Sequence, residues 1–406
     1  MIIGIQEKSL LIIKSQTNNN GAIIASSDTD IMQDKKDTYS YMWPRDGALI
    51  SRSLDKTGYT ETTEQFFDFC KDIISDKGYF LHKYLPDKSL GSSWHPWLKF
   101  DKLQLPIQED ETALILDAFW KKHSQYENKK ILKEYYKDFV KKAGDFLLNY
   151  RDSETKLPKE SYDLWEEKLG VHTFTCCTVY AGLMAAHYFA EAYKRKRDAK
   201  KYLEGAKEVK RGILKYLYDD EKEIFIKGVY QDKEGNWHKD KTIDMSTVYG
   251  LFEYKILDIN DPKLQKTMEK TIEKLKINTN VGGIIRYEKD NYFRINKDSP
   301  SNPWFVSTLW LAEYYIAKAK NFKELKPAID IFSWVCHHAL PSGCLSEQVH
   351  PYDGKQVSVS PLTWSHAGLI IAIIKYLDKL DKMGLCKGGS CYPLRRKPKK
   401  KKLWQR

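Results

Sequence analysis

The sequence predicts an all-α protein, an (α/α)6 toroid of six inner and six outer helices. Apolar residues recur with a 3.6-residue period in about twelve segments, with no convincing series of alternating strands between them. The segments also alternate in kind. Odd-numbered ones carry one apolar face, whereas even-numbered ones are apolar nearly all round, and a helix apolar on every side must be surrounded by other helices. A helical-repeat solenoid is disfavoured, because the segments share no fixed sequence period and no capping units.

In chain order, the first segment lies near residues 6 to 16. The second, near 45 to 57, follows the unusual stretch Tyr39-Ser-Tyr-Met-Trp-Pro-Arg-Asp46, and the third spans about 61 to 75. The fourth, near 109 to 124, is preceded by Ser92-Ser-Trp-His-Pro-Trp97 and Gln108-Glu-Asp110. The fifth, 127 to 150, places Ile131, Tyr135, Phe139, Ala143, Phe146 and Tyr150 three or four residues apart, with Lys and Glu between them. Ser161-Tyr-Asp-Leu-Trp-Glu-Glu167 leads into the sixth, 172 to 192, which is apolar throughout Thr175 to Ala190. The seventh and eighth are expected at 194 to 218 and 244 to 256. The ninth, 262 to 277, starts after a capping Asp261 with Pro262 and repeats Leu264, Met268, Ile272 and Leu275. Arg286-Tyr287 and Asn302-Pro-Trp304 precede the tenth, 303 to 320, whose stretch Trp304 to Ala317 is apolar all round. The eleventh covers 322 to 339. Ser346-Glu-Gln348 and Leu362-Thr-Trp364 precede the twelfth, 362 to 382, with its apolar run Ala367 to Ile374.

These unusual loops all precede even-numbered segments, and in a closed ring the N-termini of inner helices share one end. That end would collect Trp43, Trp94, Trp97, Trp165, Trp304 and Trp364, together with carboxylates and two arginines. A pyranose offers apolar C–H faces and a rim of hydroxyls, which aromatic faces beside hydrogen-bonding charged groups match. Glycoside cleavage further calls for two carboxyl groups, one protonated toward the leaving oxygen and one ionised. Glu166 and Glu347 are the candidate pair. Trp165, Glu167 and Asp163 beside Glu166 predict a raised pKa that keeps it protonated, while Glu347 must stay ionised.

Composition narrows the alternatives. With 42% hydrophobic and 30% charged residues, the 406-residue chain is an ordinary globular one. Its net charge of +12 suggests nucleic acid until it is located: residues 387–406 hold nine basic and no acidic residues, leaving 12 − 9 = +3 for residues 1–386. The division expected is therefore a catalytic body, 1–386, and a basic, disordered tail, 387–406, with no nucleic-acid partner. No window approaches eighteen consecutive apolar residues and the N-terminus lacks the pattern of an export signal, so no membrane association and a cytoplasmic location are expected. Seven cysteines without a CxxC pair read as mostly buried thiols. Asp28, Asp30 and Asp34 lack the turn glycine and terminal Glu of a calcium loop, and no phosphate or dinucleotide fingerprint appears, so neither metal nor cofactor is expected.

The strings Tyr-Met-Trp-Pro-Arg-Asp-Gly-Ala-Leu (41–49), Tyr-Asp-Leu-Trp-Glu-Glu (162–167), Asn-Pro-Trp-Phe (302–305) and Ser-Glu-Gln (346–348) with Leu-Thr-Trp-Ser-His-Ala (362–367) resemble those of the glucoamylase family, glycoside hydrolase family 15. The match in order and spacing runs from about Gly21 to about Leu380. The resemblance implies an inverting, exo-acting hydrolase that releases β-glucose from non-reducing ends of α-1,4-linked oligo- or polysaccharides. Glu166 matches the general acid and Glu347 the general base, and inversion implies carboxyls roughly 6.5 to 9.5 Å apart. Arg45 and Asp46 would hold the outer hydroxyls of the terminal glucose, with Tyr39 against its ring. Glu167 and Arg286 would contact the next sugar, and Trp43, Trp97, Trp165 and Trp304 would line the site. Trehalase or glucodextranase specificity and a non-hydrolytic binding subunit are the alternatives within the same resemblance. Prokaryotic members usually carry a β-sandwich domain ahead of the toroid, for which this chain leaves no room.

Overall fold

The structure, a computed structural model, describes residues 2–34, 36–126 and 134–386. All twelve helical segments are present within these limits. They are α1 (Ile2–Ser15), α2 (Pro44–Lys56), α3 (Thr60–Ile73), α4 (Glu109–Tyr126), α5 (Lys142–Asn149), α6 (Thr173–Ala192), α7 (Lys196–Tyr216), α8 (Met245–Glu253), α9 (Pro262–Leu275), α10 (Phe305–Lys318), α11 (Lys326–His338) and α12 (Thr363–Lys382).

Local chemistry sets their ends. Pro44 and Pro262 stand in the first turns of α2 and α9, where a missing N–H costs nothing. Asp244 and Asp261 cap α8 and α9 by accepting from Ser246 N and Lys263 N, each at 2.8 Å. Two segments differ from expectation. The fifth enters through a π-helical turn, Tyr136–Lys141, while residues 127–133 lie outside the described residues. The eleventh is divided: Phe322–Leu325 is a 3₁₀ turn, and the α-helix begins with Pro327 in its first turn.

The even-numbered helices form the inner ring. α2 packs on α4, α4 on α6, α6 on α8, α8 on α10, α10 on α12, and α12 returns to α2. The helices α1, α3, α5, α7, α9 and α11 lie outside them. The approach can be close: a Cβ on Gly47 of α2 would sit 2.4 Å from the Phe66 ring of α3. Along α6, fifteen residues from Thr173 to Ala190 are buried, whereas α7 buries only seven on one face. That contrast is what its surroundings demand.

Short strands went unread in the sequence. Ser161–Tyr162, Leu169–His172, Gly228–Gln231 and Trp237–Asp240 form a four-stranded antiparallel sheet, with Val171 opposite Val229 and Gly228 opposite Asp240. Strands of two to four residues are too short to show alternation. This sheet carries the turn holding Glu166.

Five described cysteines (Cys70, Cys176, Cys177, Cys336 and Cys344) are free thiols, three of them buried, whereas Cys386 is disulfide-bonded. The basic tail lies outside the described residues. Among those residues, no helix is long and apolar enough to cross a membrane.

Candidate active site

One pocket of about 380 Å³ opens where the inner helices begin. Tyr39, Trp43, Arg45, Asp46, Trp165, Glu166, Glu167, Arg286, Trp304 and Glu347 all line it, so ten of the eleven anticipated residues converge. Trp97 does not. It is 56% exposed and lines a separate, larger groove with Tyr79, Tyr150 and Trp237. Its neighbour Trp94 turns the other way, into the pocket, and donates its indole N–H to the Glu166 carbonyl at 3.1 Å.

Each wall has a structural cause. Arg45 and Asp46 occupy the first turn of α2, so both emerge at the ring's open end. Trp165, Glu166 and Glu167 lie in the turn between two strands of the small sheet. Asp163 fixes that turn by accepting from Glu167 N at 2.8 Å and Lys168 N at 3.1 Å. Buried Lys227 bridges Asp163 (2.9 Å) to the cap residue Asp244 (3.1 Å), and Asp244 in turn accepts from Trp165 Nε1 at 3.0 Å. Burial opposes the charge on Asp163, but Lys227 and the backbone donors outweigh it and hold its carboxyl well below the usual range. Glu166 itself adopts φ = 66°, a left-handed conformation rare for a non-glycine residue.

The aromatic lining is continuous. Trp165 lies 5.9 Å from Trp304 and 6.4 Å from Trp364, centroid to centroid. Arg286 stacks over Trp304 at 4.2 Å while Asp290 takes its guanidinium in a two-pronged grip at 2.7 and 2.8 Å; its outer nitrogen reaches Glu167 at 3.0 Å. Several polar atoms of the lining (Arg45 Nε and Nη1, Asp46 Oδ1, Trp304 Nε1) are buried without a hydrogen-bond partner among the described residues. Such groups are costly unless something fills the pocket.

The two acids sit in unlike surroundings. Glu166 Oε1 accepts from Arg45 Nη2 at 3.0 Å and its Oε2 lies 2.8 Å from His82 Nε2. Glu347 Oε1 accepts from the Tyr39 hydroxyl at 3.3 Å, and its Oε2 from Ser358. The Tyr39 hydroxyl also meets that of Tyr292 at 2.9 Å.

The anticipated influences on the two acids are thereby corrected. Burial raises Glu166, but a protonated His82 and Arg45 outweigh it and would bring the carboxyl down to about 2 rather than up. The anticipated acidic neighbours are turned away, Glu167 to Arg286 and Asp163 to Lys227. Glu347, expected to ionise readily, is pushed up to about 7, chiefly by burial. Burial likewise raises Asp46 to about 6.

Reading the sequence missed His82, Lys83, Tyr292, Lys227 and Asp244. Lys83 is fully buried, with its ammonium 4.4 to 4.9 Å from the rings of Tyr41, Trp94 and Trp43 and 2.9 Å from Asp37 Oδ2. The stretch Phe80-Leu-His-Lys-Tyr84 offered no signal beyond two basic residues between apolar ones. Among the described residues no cluster could hold a metal ion, and Asp28 instead accepts from Ser360 N at 2.8 Å.

The chain is similar to several known proteins. An uncharacterized glycosyl hydrolase of Methanocaldococcus jannaschii is 29% identical over 385 residues, covering 92% of this chain and 56% of that protein. A probable glucoamylase of Schizosaccharomyces pombe is 25% identical over 88% of this chain and 85% of its own length. Among solved structures, a bacterial glucoamylase complexed with acarbose superposes with a TM-score of 0.74 at 22% identity, over 92% of this chain and 55% of that one. The chain thus spans little more than half the length of the first and third. The family model for glycosyl hydrolases family 15 matches residues 7–333 and 320–374. With nearly every described element inside that match, the chain belongs to glycosyl hydrolases family 15.

Proposed function

We propose that the chain is an inverting exo-acting α-glucosidase of glucoamylase type, with the first 386 residues as its catalytic unit and no cofactor. The observation that carries this reading is the pairing of Glu166 and Glu347 in one aromatic pocket where Arg45 Nε and Nη1, Asp46 Oδ1 and the Trp304 indole N–H have no hydrogen-bond partner among the described residues. A terminal glucose supplies what is missing: its hydroxyls answer Arg45, Asp46 and the Trp304 indole, and its C–H faces lie against Tyr39, Trp165 and Trp304.

In this scheme Glu166 protonates the glycosidic oxygen as the C1–O bond breaks. Glu347, ionised, takes a proton from a water that attacks C1 from the opposite face, and β-glucose leaves with inverted configuration. Glu167 and Arg286, held together at 3.0 Å, would receive the following sugar.

A proton NMR time course on maltotriose, with isomaltose and trehalose in parallel, tests the proposal. Initial β-glucose from maltotriose is expected. Initial α-glucose would remove the water-activating role of Glu347, and preference for either other substrate would reassign the bond. Silence on all three would leave a carbohydrate-binding role.

A further inference from the structure

The His82 imidazole reaches the carboxyl of the assigned acid. Met42 and Tyr84 exchange backbone hydrogen bonds at 2.8 and 2.9 Å, which lays the stretch containing His82 alongside Trp43. Five groups then surround the imidazole, among them Trp94, whose ring lies edge-on with its centroid 4.7 Å away. Its Nε2 lies 2.8 Å from Glu166 Oε2 and 3.2 Å from Trp43 Nε1, whose N–H points at it. Its Nδ1 lies 2.9 Å from Ser93 Oγ, and its face stacks at 4.1 Å on His95, which burial keeps neutral by pushing it down to about 3.

The indole N–H decides where the proton lies. It can only donate, so the Nε2 it addresses must offer a lone pair. A protonated Nε2 would set N–H against N–H. With Nε2 as acceptor, the 2.8 Å contact to Glu166 is a hydrogen bond only if the carboxyl supplies the hydrogen, and Nδ1–H is free to donate to Ser93. The indole N–H and the carboxyl O–H then share the one lone pair of Nε2, and Nδ1–H faces the Ser93 oxygen. Burial argues the same way, because the His82 side chain is 2% exposed and a neutral pair avoids desolvating two charges.

The other titratable groups around the pair are Arg45 and Asp46 on α2, Asp110 and Glu111 at the start of α4, His95, Tyr39 and Tyr292. Arg45 lies 3.4 Å from Asp46, 3.9 Å from Glu111 and 3.0 Å from Glu166. One cation cannot neutralise three carboxylates, so this corner retains a proton. Burial pushes Asp46 and Glu111 up as well, so they share in the protons this corner retains, and Trp43 decides where the proton between His82 and Glu166 lies.

We propose that His82 is the positioning residue that keeps the acid loaded: as a neutral acceptor at Nε2, it holds the proton of the pair on Glu166 Oε2. The inference rests on the assignment of Glu166 as general acid. When the glycosidic oxygen arrives, the proton passes from Oε2 to that oxygen, the C–O electron pair stays with the leaving sugar, and the resulting carboxylate keeps Arg45 as its partner. The imidazole gains and loses no proton in that step.

Two measurements test this. Ring-¹⁵N-labelled histidine NMR at pH 7, with the His82 signals identified by their loss in His82→Gln, is expected to show an unprotonated Nε2 and a protonated Nδ1; two protonated nitrogens would overturn the proposal. This readout needs no substrate, so it stands apart from any failure to find hydrolysis. In kinetics, His82→Phe is expected to lower kcat at least tenfold with KM changed less than threefold, and to move the alkaline limb of the kcat profile down by a pH unit or more. His82→Gln, whose carbonyl can accept where Nε2 does, is expected to recover part of the rate. Unmoved limbs in both variants, or a loss confined to KM, would reduce His82 to a wall of the pocket.

Discussion

Glu166 and Glu347 differ above all in what surrounds them. Glu166 shares a proton with an imidazole and an oxygen with a guanidinium, whereas Glu347 faces hydroxyls alone, from Tyr39 and Ser358. Glu166→Gln and Glu347→Gln each remove a proton-transfer role at constant size, so kcat on maltotriose is expected to fall by about 10²- to 10⁴-fold while the circular dichroism spectrum stays unchanged. The raised carboxyl of Glu347 gives a pH dependence with a definite sign. The base is protonated below about 7 in the free enzyme, so kcat/KM is expected to climb as pH rises toward 7 and then level off. A profile flat from pH 5 to 7 would show that Glu347 ionises lower. Trp97 stands outside the pocket, and Trp97→Ala is expected to leave kcat/KM on maltose within twofold, whereas Trp304→Ala removes the ring over which Arg286 lies.

At the scale of elements, buried charges tie down the loop between Ser161–Tyr162 and Leu169–His172. Lys227 joins the sheet to the cap of α8 through Asp163 and Asp244. Lys227→Met would strand two buried carboxylates, at an expected cost of about 3–5 kcal/mol in denaturant unfolding. The sign follows from Asp163, whose folded carboxyl is held below its unfolded value and so stabilises above that value. The variant's deficit should therefore be large at pH 8 and shrink as pH falls toward 4, where the stranded acids take up protons. These ties also mark the limit of what the sequence discloses. The helices declare themselves through periodicity over ten to twenty residues, and Trp165, Glu166 and Glu347 through a long motif. Lys227 stands just before the four-residue strand Gly228–Gln231, and its partners stand 64 and 17 positions away in sequence. Nothing local signals a contact of that kind. The groups that set the charge on Glu166 were hidden for the same reason: its sequence neighbours point elsewhere, and its actual neighbours, His82 and Arg45, come from 84 and 121 residues upstream.

The whole molecule is a ring whose closure depends on α12 meeting both α2 and α1. Ser9 of α1 bonds His366 of α12 at 2.8 Å, so the two ends of the ring are joined by a buried polar contact as well as by apolar packing. Toroidal closure was readable because inner helices must be apolar all round, and α6, α10 and α12 are. Charge is distributed unevenly, since residues 387–406 carry nine of the twelve net positive charges. Deleting that segment is expected to lower retention on a polyanion column while leaving turnover of maltotriose unchanged; a parallel loss of turnover would make the tail part of the enzyme.

The backbone at Glu166 carries a consequence for how such a protein can be improved. Its φ of 66° is open to glycine and costs an ordinary residue about 1 kcal/mol. A screen that rewards heat resistance alone would therefore favour Glu166→Gly, which relaxes the turn and abolishes the acid in one step. Laboratory evolution of this chain for thermal tolerance needs selection for turnover in every round, or its fittest survivors will be inert.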